Sequence, residues 1–281
     1  MRFVDYGVFY KDIHQVSLEY AARHARELGF DAVELLEVFP LKKNAILWKY
    51  PAHEMRRVLE EYGLSVSCVS FGVNLAEDEI DWDGIEALIE YAAAVGSPRV
   101  HHTLVPLVSL QEGAPSYETM LERVYPHAVK IANRCRMLGM ECLYEPQGIY
   151  FNGTEGLGHF YDRICAECTN VGICGDTGNS LFVDISAEAI YDRFVHGIRH
   201  VHVKNYRVTD APDGATRAYR SKGGRYIYDC PIERGATDLA YCLEKLKAVG
   251  YDGDISFEME IDDCVTREAM TYLRGLWEKE N

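Results

Sequence analysis

The feature that most restricts the fold is a repeated alternation of short apolar strands with longer amphipathic helices along all 281 residues. Strand patterns occupy Met1–Tyr10, Asp31–Val38, Ser65–Val73, Val100–Val105, Met140–Pro146, Val171–Asp176, Ile198–Tyr206 and Asp254–Ile261. Helical periodicity occupies Ser17–Leu28, Pro51–Tyr62, Asp83–Val95, Tyr117–Leu138, Thr154–Cys168, Ser186–His196, Thr237–Val249 and Thr266–Glu278. Gly29, Gly63, Gly96 and Gly139 stand where the first four helices stop, and Thr154 and Ser186 suit helix N-caps. Such alternation predicts a parallel sheet with right-handed crossovers. Eight units of about 33 residues each match the size of an α/β (β/α)₈ TIM barrel. The expectation is therefore a single domain over residues 1–281. A doubly wound open sheet fits less well, because no strand is followed by the G-x-G-x-x-G fingerprint.

One connection is too long for a compact barrel. Residues 207–236, after the seventh strand, run about 30 residues without a helical pattern, where a few would do. The segment holds Arg217, Arg220, Lys222 and Arg225 with Tyr219, Tyr226 and Tyr228. It reads as a surface or interface arm, or as a lid whose cations, Arg207 among them, meet an anionic or polyhydroxy substrate.

The net charge of −15 argues against a nucleic-acid partner and against an anionic membrane surface. No apolar run approaches the roughly 20 residues of a spanning helix. Asp5 falls where a signal peptide would carry its apolar segment. With nine cysteines, odd in number and scattered through apolar segments, the expectation is a reduced, cytoplasmic protein. Cys165 and Cys168 form a lone C-x-x-C in a helical pattern and read as packing residues.

Barrel chemistry collects at the carboxyl ends of the strands. There the fifth strand offers Glu145, the sixth Asp176, the seventh His202 and the eighth Glu258. Three carboxylates and an imidazole left unpaired in one barrel mouth would be costly, and a divalent cation removes the conflict. A mostly oxygen set with one imidazole suits Mn²⁺ best, with Mg²⁺ or Co²⁺ close behind; Zn²⁺ more often recruits further His or Cys. The competing reading is a salt-bridge network with Lys204 and the arginines. Strand alternation turns His200, His202 and Lys204 to one face, opposite Val201 and Val203. Glu260 shares a face with Glu258, which is preferred because it lies earlier in its strand. Glu34 is expected either to hydrogen-bond substrate or to pack against a helix. Only one of His101 and His102 can face inward, and His102 is taken as the substrate-facing one. Phe39, Pro40, Trp48 and Tyr50 read as an oligomer contact or a pocket wall.

Four stretches carry a resemblance: G-F-D-A-V-E-L at 29–35, G-D-T-G-N at 175–179, H-V-K-N-Y at 202–206 and G-Y-D-G-D-I-S-F-E-M-E at 250–260. Together they resemble the sugar phosphate isomerase/epimerase family of the xylose-isomerase-like barrels, whose relatives include ketose 3-epimerases, inosose dehydratases and endonuclease IV. The resemblance implies metal ligation by Glu145, Asp176, His202 and Glu258, the same four residues. Three positions depart from the family pattern: Asn179 stands in place of a histidine, Pro146-Gln147 in place of Asn-His, and Asn205 in place of an aspartate. Those positions usually touch substrate, so Asn179 joins Lys204, His102, Arg207 and Glu34 as substrate-binding candidates.

The expected activity is proton transfer through an enediolate on a ketose or related keto-sugar, with Glu145 and Glu258 as base and acid. That describes an isomerase or epimerase. The alternative is a lyase or dehydratase that expels a β-leaving group from an inosose or 3-oxo-glycoside. A non-catalytic sugar-binding barrel is the remote reading. Family habit implies a homo-oligomer.

Overall fold

The computed structural model describes residues 1–37, 49–107, 109, 112–214, 217–258 and 263–279. Strand β1 (Arg2–Asp5) is followed by α1 (Gly7–Gln15), α2 (Leu18–Leu28), β2 (Ala32–Glu37), α3 (Ala52–Glu61), β3 (Ser65–Phe71) and α4 (Trp82–Ala94). Then come β4 (Arg99–His102), α5 (Tyr117–Met137), β5 (Glu141–Tyr144), α6 (Gly153–Cys165), β6 (Val171–Asp176), α7 (Ala187–Phe194) and β7 (Ile198–Val203). An arm of β8 (Tyr206–Thr209), β9 (Tyr219–Arg220) and β10 (Tyr226–Asp229) precedes α8 (Leu239–Ala248), β11 (Asp254–Phe257) and α9 (Asp263–Glu278). The barrel closes in the order β1-β11-β7-β6-β5-β4-β3-β2, with each neighbouring pair parallel. This is the expected (β/α)₈ barrel. Among the described residues no helix is long and apolar enough to cross a membrane.

Three local expectations need correction. Met1–Tyr10 is not one strand: pairing stops at Asp5 and a helix begins at Gly7. The Asp5 carboxylate accepts a hydrogen bond from the Phe9 amide at 3.0 Å, so the last strand residue supplies the start of the helix with an acceptor. The N-cap of α6 is Asn152 rather than Thr154; its side chain accepts from the Gly153 amide. Segment 207–236 is not structureless either. Its strands form an antiparallel sheet in the order β8-β10-β9. Tyr226 stands opposite Arg220 and Thr209, and Tyr228 opposite Arg207, a cross-strand pattern that repeated arginines and glycines hid from a periodicity reading.

Strand alternation sends one set of side chains outward and the other into the barrel. Val33, Leu35, Val201 and Val203 belong to the apolar layer under the helices. The ring of Tyr144 lies on Phe160 with centroids 4.8 Å apart, and Phe151 extends the contact. Burial of each such ring stabilises the layer by about 2–3 kcal/mol. Inside, the usual branched aliphatics give way to Glu34, Ser67, Ser70, Asp176, His200, His202 and Asp254, all buried. Asp254 closes the amino-terminal end, where Arg2 at 2.8 Å, Ser67 at 2.6 Å and Arg99 at 3.2 Å converge on it.

The arm is fastened to the barrel by Asn205. Its buried amide donates to the carbonyls of Ile232 and Thr237 at 2.8 and 3.1 Å and accepts from the amides of Tyr206 and Thr237 at 3.0 and 3.1 Å. Gly235 leaves room for it, since a Cβ there would lie 1.9 Å from the Asn205 side chain. Removing the amide orphans several buried backbone groups at once. Asn205→Ala is expected to lose about 2–3 kcal/mol in urea unfolding, and proteolysis should cut first within 207–236. Unchanged stability would show that the arm is held by other contacts.

Candidate metal centre

Each predicted ligand stands at a strand end for a local reason. Asp176 closes β6, and Thr177 and Gly178 carry the chain from it into a short 3₁₀ turn. The amides of Gly178 and Asn179 donate to Asp176 Oδ1 at 2.8 and 2.5 Å, which leaves Oδ2 for the barrel mouth. A Cβ on Gly178 would come within 2.8 Å of the Tyr206 ring and 2.9 Å of Lys204, so glycine there admits both side chains. Glu145 follows β5, His202 lies in β7 and Glu258 follows β11. One ligand atom from each of Glu145, Asp176, His202 and Glu258 lies within 4.8 Å of all the others. Glu145, Asp176 and His202 are buried, and the Glu258 side chain is 22% exposed at the rim.

His202 is central to this geometry. Its Nδ1 is 3.3 Å from Glu145 Oε2 and 3.2 Å from Glu258 Oε2, while Nε2 is 3.0 Å from Glu34 Oε1. Lys204 Nζ lies 2.5 Å from Glu258 and 3.0 Å from Asp176 Oδ2. Burial would raise Glu258, but the Lys204 ammonium and His202 outweigh it and hold the carboxyl down at about 2. Asp176 fares differently: burial, only partly offset by Lys204, raises it to about 6. Burial acts against the His202 imidazolium too, yet Cys174, Glu34 and Glu145 hold its proton well above the usual imidazole range.

The residues fit a divalent cation on charge and donor type. Glu145, Asp176, Glu258 and the nearby Glu34 outnumber the two positive groups, Lys204 and protonated His202, so the cluster is short of positive charge. Carboxylate oxygens with one imidazole nitrogen are hard or intermediate donors suited to Mg²⁺, Mn²⁺ or Zn²⁺.

Other predicted site residues lie elsewhere. His101, not His102, faces inward. His102 stacks on Phe71 and packs against Tyr144 on the helix side, where its Nδ1 donates to the Thr103 carbonyl at 2.9 Å. Sequence alternation allowed either register, and pairing of His101 with Ser70 and Leu143 decides it. Glu34 meets neither a substrate cavity nor a helix: it is sealed inside the barrel between His200, His202 and Ser70. Burial opposes its charge, but His202 and His200 hold its carboxyl well below the usual range. The Asn179 amide group lies next to the Asp176 turn with its nitrogen unbonded. Arg207 pairs with Asp213 and covers the Tyr228 ring at 4.5 Å, within the arm. Arg220 likewise lies over Tyr226 at 3.9 Å. Glu260 and residues 38–48, with the Phe39, Pro40 and Trp48 stretch, fall outside the described residues.

The mouth holds a cavity of 590 Å³. Leu36, Phe71, Val73 and Pro106 form an apolar wall facing His101, Glu145, Gln147 and Glu258. Tyr6 also lines it, 5.5 Å from the His202 ring, a residue missed because the first strand was read as running through it.

Metal uptake tests the charge argument. The carboxylates around His202 favour its imidazolium, which must lose a proton to present Nδ1 to a cation. Titration calorimetry with Mn²⁺ in buffers of different ionisation enthalpy should therefore report release of about one proton, with affinity rising toward pH 8. Asp176→Asn and Glu145→Gln should weaken binding at least tenfold. Proton-neutral binding, together with unchanged affinity in His202→Gln, would show that His202 is not a ligand.

The comparisons with known proteins agree with this architecture. No curated protein matches the chain by sequence. Solved structures resemble it at low identity. The AsbF protein of Bacillus anthracis, described as a probable 3-DHS dehydratase, superposes with a TM-score of 0.73 at 14% identity, covering 98% of this chain and 99% of that one. D-psicose 3-epimerase from Clostridium cellulolyticum H10, solved with D-tagatose, gives 0.69 at 14% identity, covering 99% and 100%. A xylose isomerase-like TIM barrel protein from Mycobacterium smegmatis in complex with magnesium gives 0.68 at 17% identity, covering 98% and 96%. The xylose isomerase-like TIM barrel family model matches residues 22–276, nearly the whole chain, and the chain belongs to that family.

Proposed function

We propose that this chain is a divalent-metal-dependent isomerase or epimerase that moves a proton next to the carbonyl of a ketose or related keto-sugar. The observation that carries the reading is the pair of carboxylates, Glu145 and Glu258, that approach His202 Nδ1 to 3.3 and 3.2 Å from different strands. One carboxylate takes the proton from the carbon beside the carbonyl, and the electron pair moves onto the carbonyl oxygen to give an enediolate. The other returns a proton, to the opposite face for epimerisation or to the neighbouring carbon for isomerisation. Glu145, Asp176, His202 and Glu258 would hold a cation, Mn²⁺ or Mg²⁺ in this reading, whose charge supplies electrophilic stabilisation of the developing negative oxygen. Lys204, buried between Asp176 and Glu258, keeps a further positive charge at that end of the site. The apolar wall of Leu36, Phe71 and Val73 is suited to exclude water and to pack against the carbon skeleton. A small-molecule sugar is the partner this cavity accommodates, and a structure solved with D-tagatose among the fold relatives supports that class.

Solvent-deuterium exchange into a panel of ketoses, inososes and 3-oxo-glucosides tests the reading, with Mn²⁺ added and after chelation. The expected result is metal-dependent label beside the carbonyl, reduced about 10²–10⁴-fold in Glu145→Gln and in Glu258→Gln. Label in an intact sugar identifies the isomerase or epimerase. Loss of water or an aglycone would replace it with a lyase, in which the same enediolate expels a β-leaving group. Exchange that survives both substitutions would remove these carboxylates from the chemistry.

A further inference from the structure

The interior beneath the metal centre is joined by one carboxylate. Glu34 Oε2 accepts from His200 Nε2 at 2.8 Å, and Oε1 accepts from His202 Nε2 at 3.0 Å. The Ser70 hydroxyl also donates to Oε1, and His101 Nδ1 lies 3.1 Å from the Ser70 oxygen. All of these groups are buried, and Glu34 and His200 are wholly so.

Donor and acceptor counting then fixes which ring nitrogens carry protons. An ionised carboxylate only accepts, so His202 Nε2 and the Ser70 hydroxyl must both donate to Glu34. The single hydroxyl proton of Ser70 is used there, so toward His101 its oxygen can only accept. His101 Nδ1 must therefore carry the proton, and in the neutral ring Nε2 is left bare. That bare nitrogen belongs to a ring that lines the cavity, is buried without a hydrogen-bond partner and lies 3.4 Å from Glu145 Oε1.

We propose that Glu34 and Ser70 are positioning residues that fix the proton-bearing nitrogens of the two imidazoles at the site: Ser70 holds the proton of His101 on Nδ1 and leaves Nε2 as an acceptor, and Glu34 holds a proton on His202 Nε2, so that Nδ1 is the nitrogen freed when His202 gives up its second proton to a cation. His101 thereby adds a nitrogen donor atom that the strand-end reading did not include. It meets a ligand with an acceptor, which selects for a hydroxyl at that point over a carbonyl oxygen. With the ring neutral, two acceptors as close as Glu145 Oε1 and His101 Nε2 favour a hydrogen-bond donor or a cation between them, and a sugar hydroxyl supplies the first. The His202 limb rests on the metal-dependent reading above; the His101 limb stands without it.

Long-range ¹H–¹⁵N correlation spectra of the histidine rings test the inference on the intact protein, metal-free and loaded with Zn²⁺, which is diamagnetic. Assignments come from single His→Gln substitutions. The expected pattern is His101 protonated on Nδ1 in both states, and His202 protonated on Nε2 in the Zn²⁺ form. Ser70→Ala should move His101 toward the Nε2–H tautomer and leave His202 unchanged, with Zn²⁺ affinity within about twofold. Glu34→Ala should weaken Zn²⁺ binding about 10–100-fold, the range for loss of a partner behind a histidine ligand. An Nε2–H signal from His101 in the unsubstituted protein would overturn the inference, as would a His101 signal indifferent to Ser70→Ala. The unsubstituted spectra decide the matter even if Glu34→Ala does not fold. Failure to bind Zn²⁺ at all would instead count against the metal-dependent reading, with the His101 tautomer still readable.

Discussion

Concentrated negative charge inside the barrel is the constraint on which the rest of the site depends. Glu145, Asp176 and Glu258 are brought within reach of one imidazole, with Glu34 just below. In so dry an interior every uncompensated carboxylate costs several kcal/mol. The chain answers this in two ways. Glu34 is surrounded by His200, His202 and Ser70 and stays ionised. Glu258 is held by Lys204 and His202, whereas Asp176 is left with less help and is raised. The unevenness marks the place where a further positive charge would do most, and it coincides with the convergence of the four strand ends.

Rigidity around that cluster comes from backbone amides and from buried polar side chains together. The Gly178 and Asn179 amides grip one oxygen of Asp176 and aim the other. His202 is held from below by Glu34, so its ring plane does not depend on what occupies the mouth. Asn205, three residues on, is spent entirely on the arm. That residue departs from the family's aspartate, and its two donated bonds explain why an amide suits this chain: a carboxylate has no proton to give the Ile232 and Thr237 carbonyls. The arm's cations are similarly engaged, with Arg207 and Arg220 stacked on the arm's own tyrosines.

Much of this was legible along the chain because it depends on local periodicity. Eight apolar strands separated by amphipathic helices dictate a closed parallel barrel, and a carboxylate at a strand's carboxyl end must then face the mouth. Glu145, Asp176, His202 and Glu258 could be singled out for that reason. The errors fall where period alone is ambiguous. Tyr6 was hidden because a strand passing directly into a helix leaves no turn residue to mark the change. The arm's sheet was hidden because its strands are only two to four residues long and pair across long gaps.

The sequence by itself determined the barrel, the strand ends and the chemical types of the site residues, since each follows from hydrophobic period and residue identity. Only the tertiary structure decided which of two adjacent histidines turns inward, because that depends on the register of β4 against β3 and β5. It also decided that Glu34 serves the interior rather than the cavity. Glu34 and His200 are 166 positions apart in the chain and 2.8 Å apart in space. No local pattern encodes that meeting; it arises when the sheet closes and every inward side chain must find a partner or remain uncompensated.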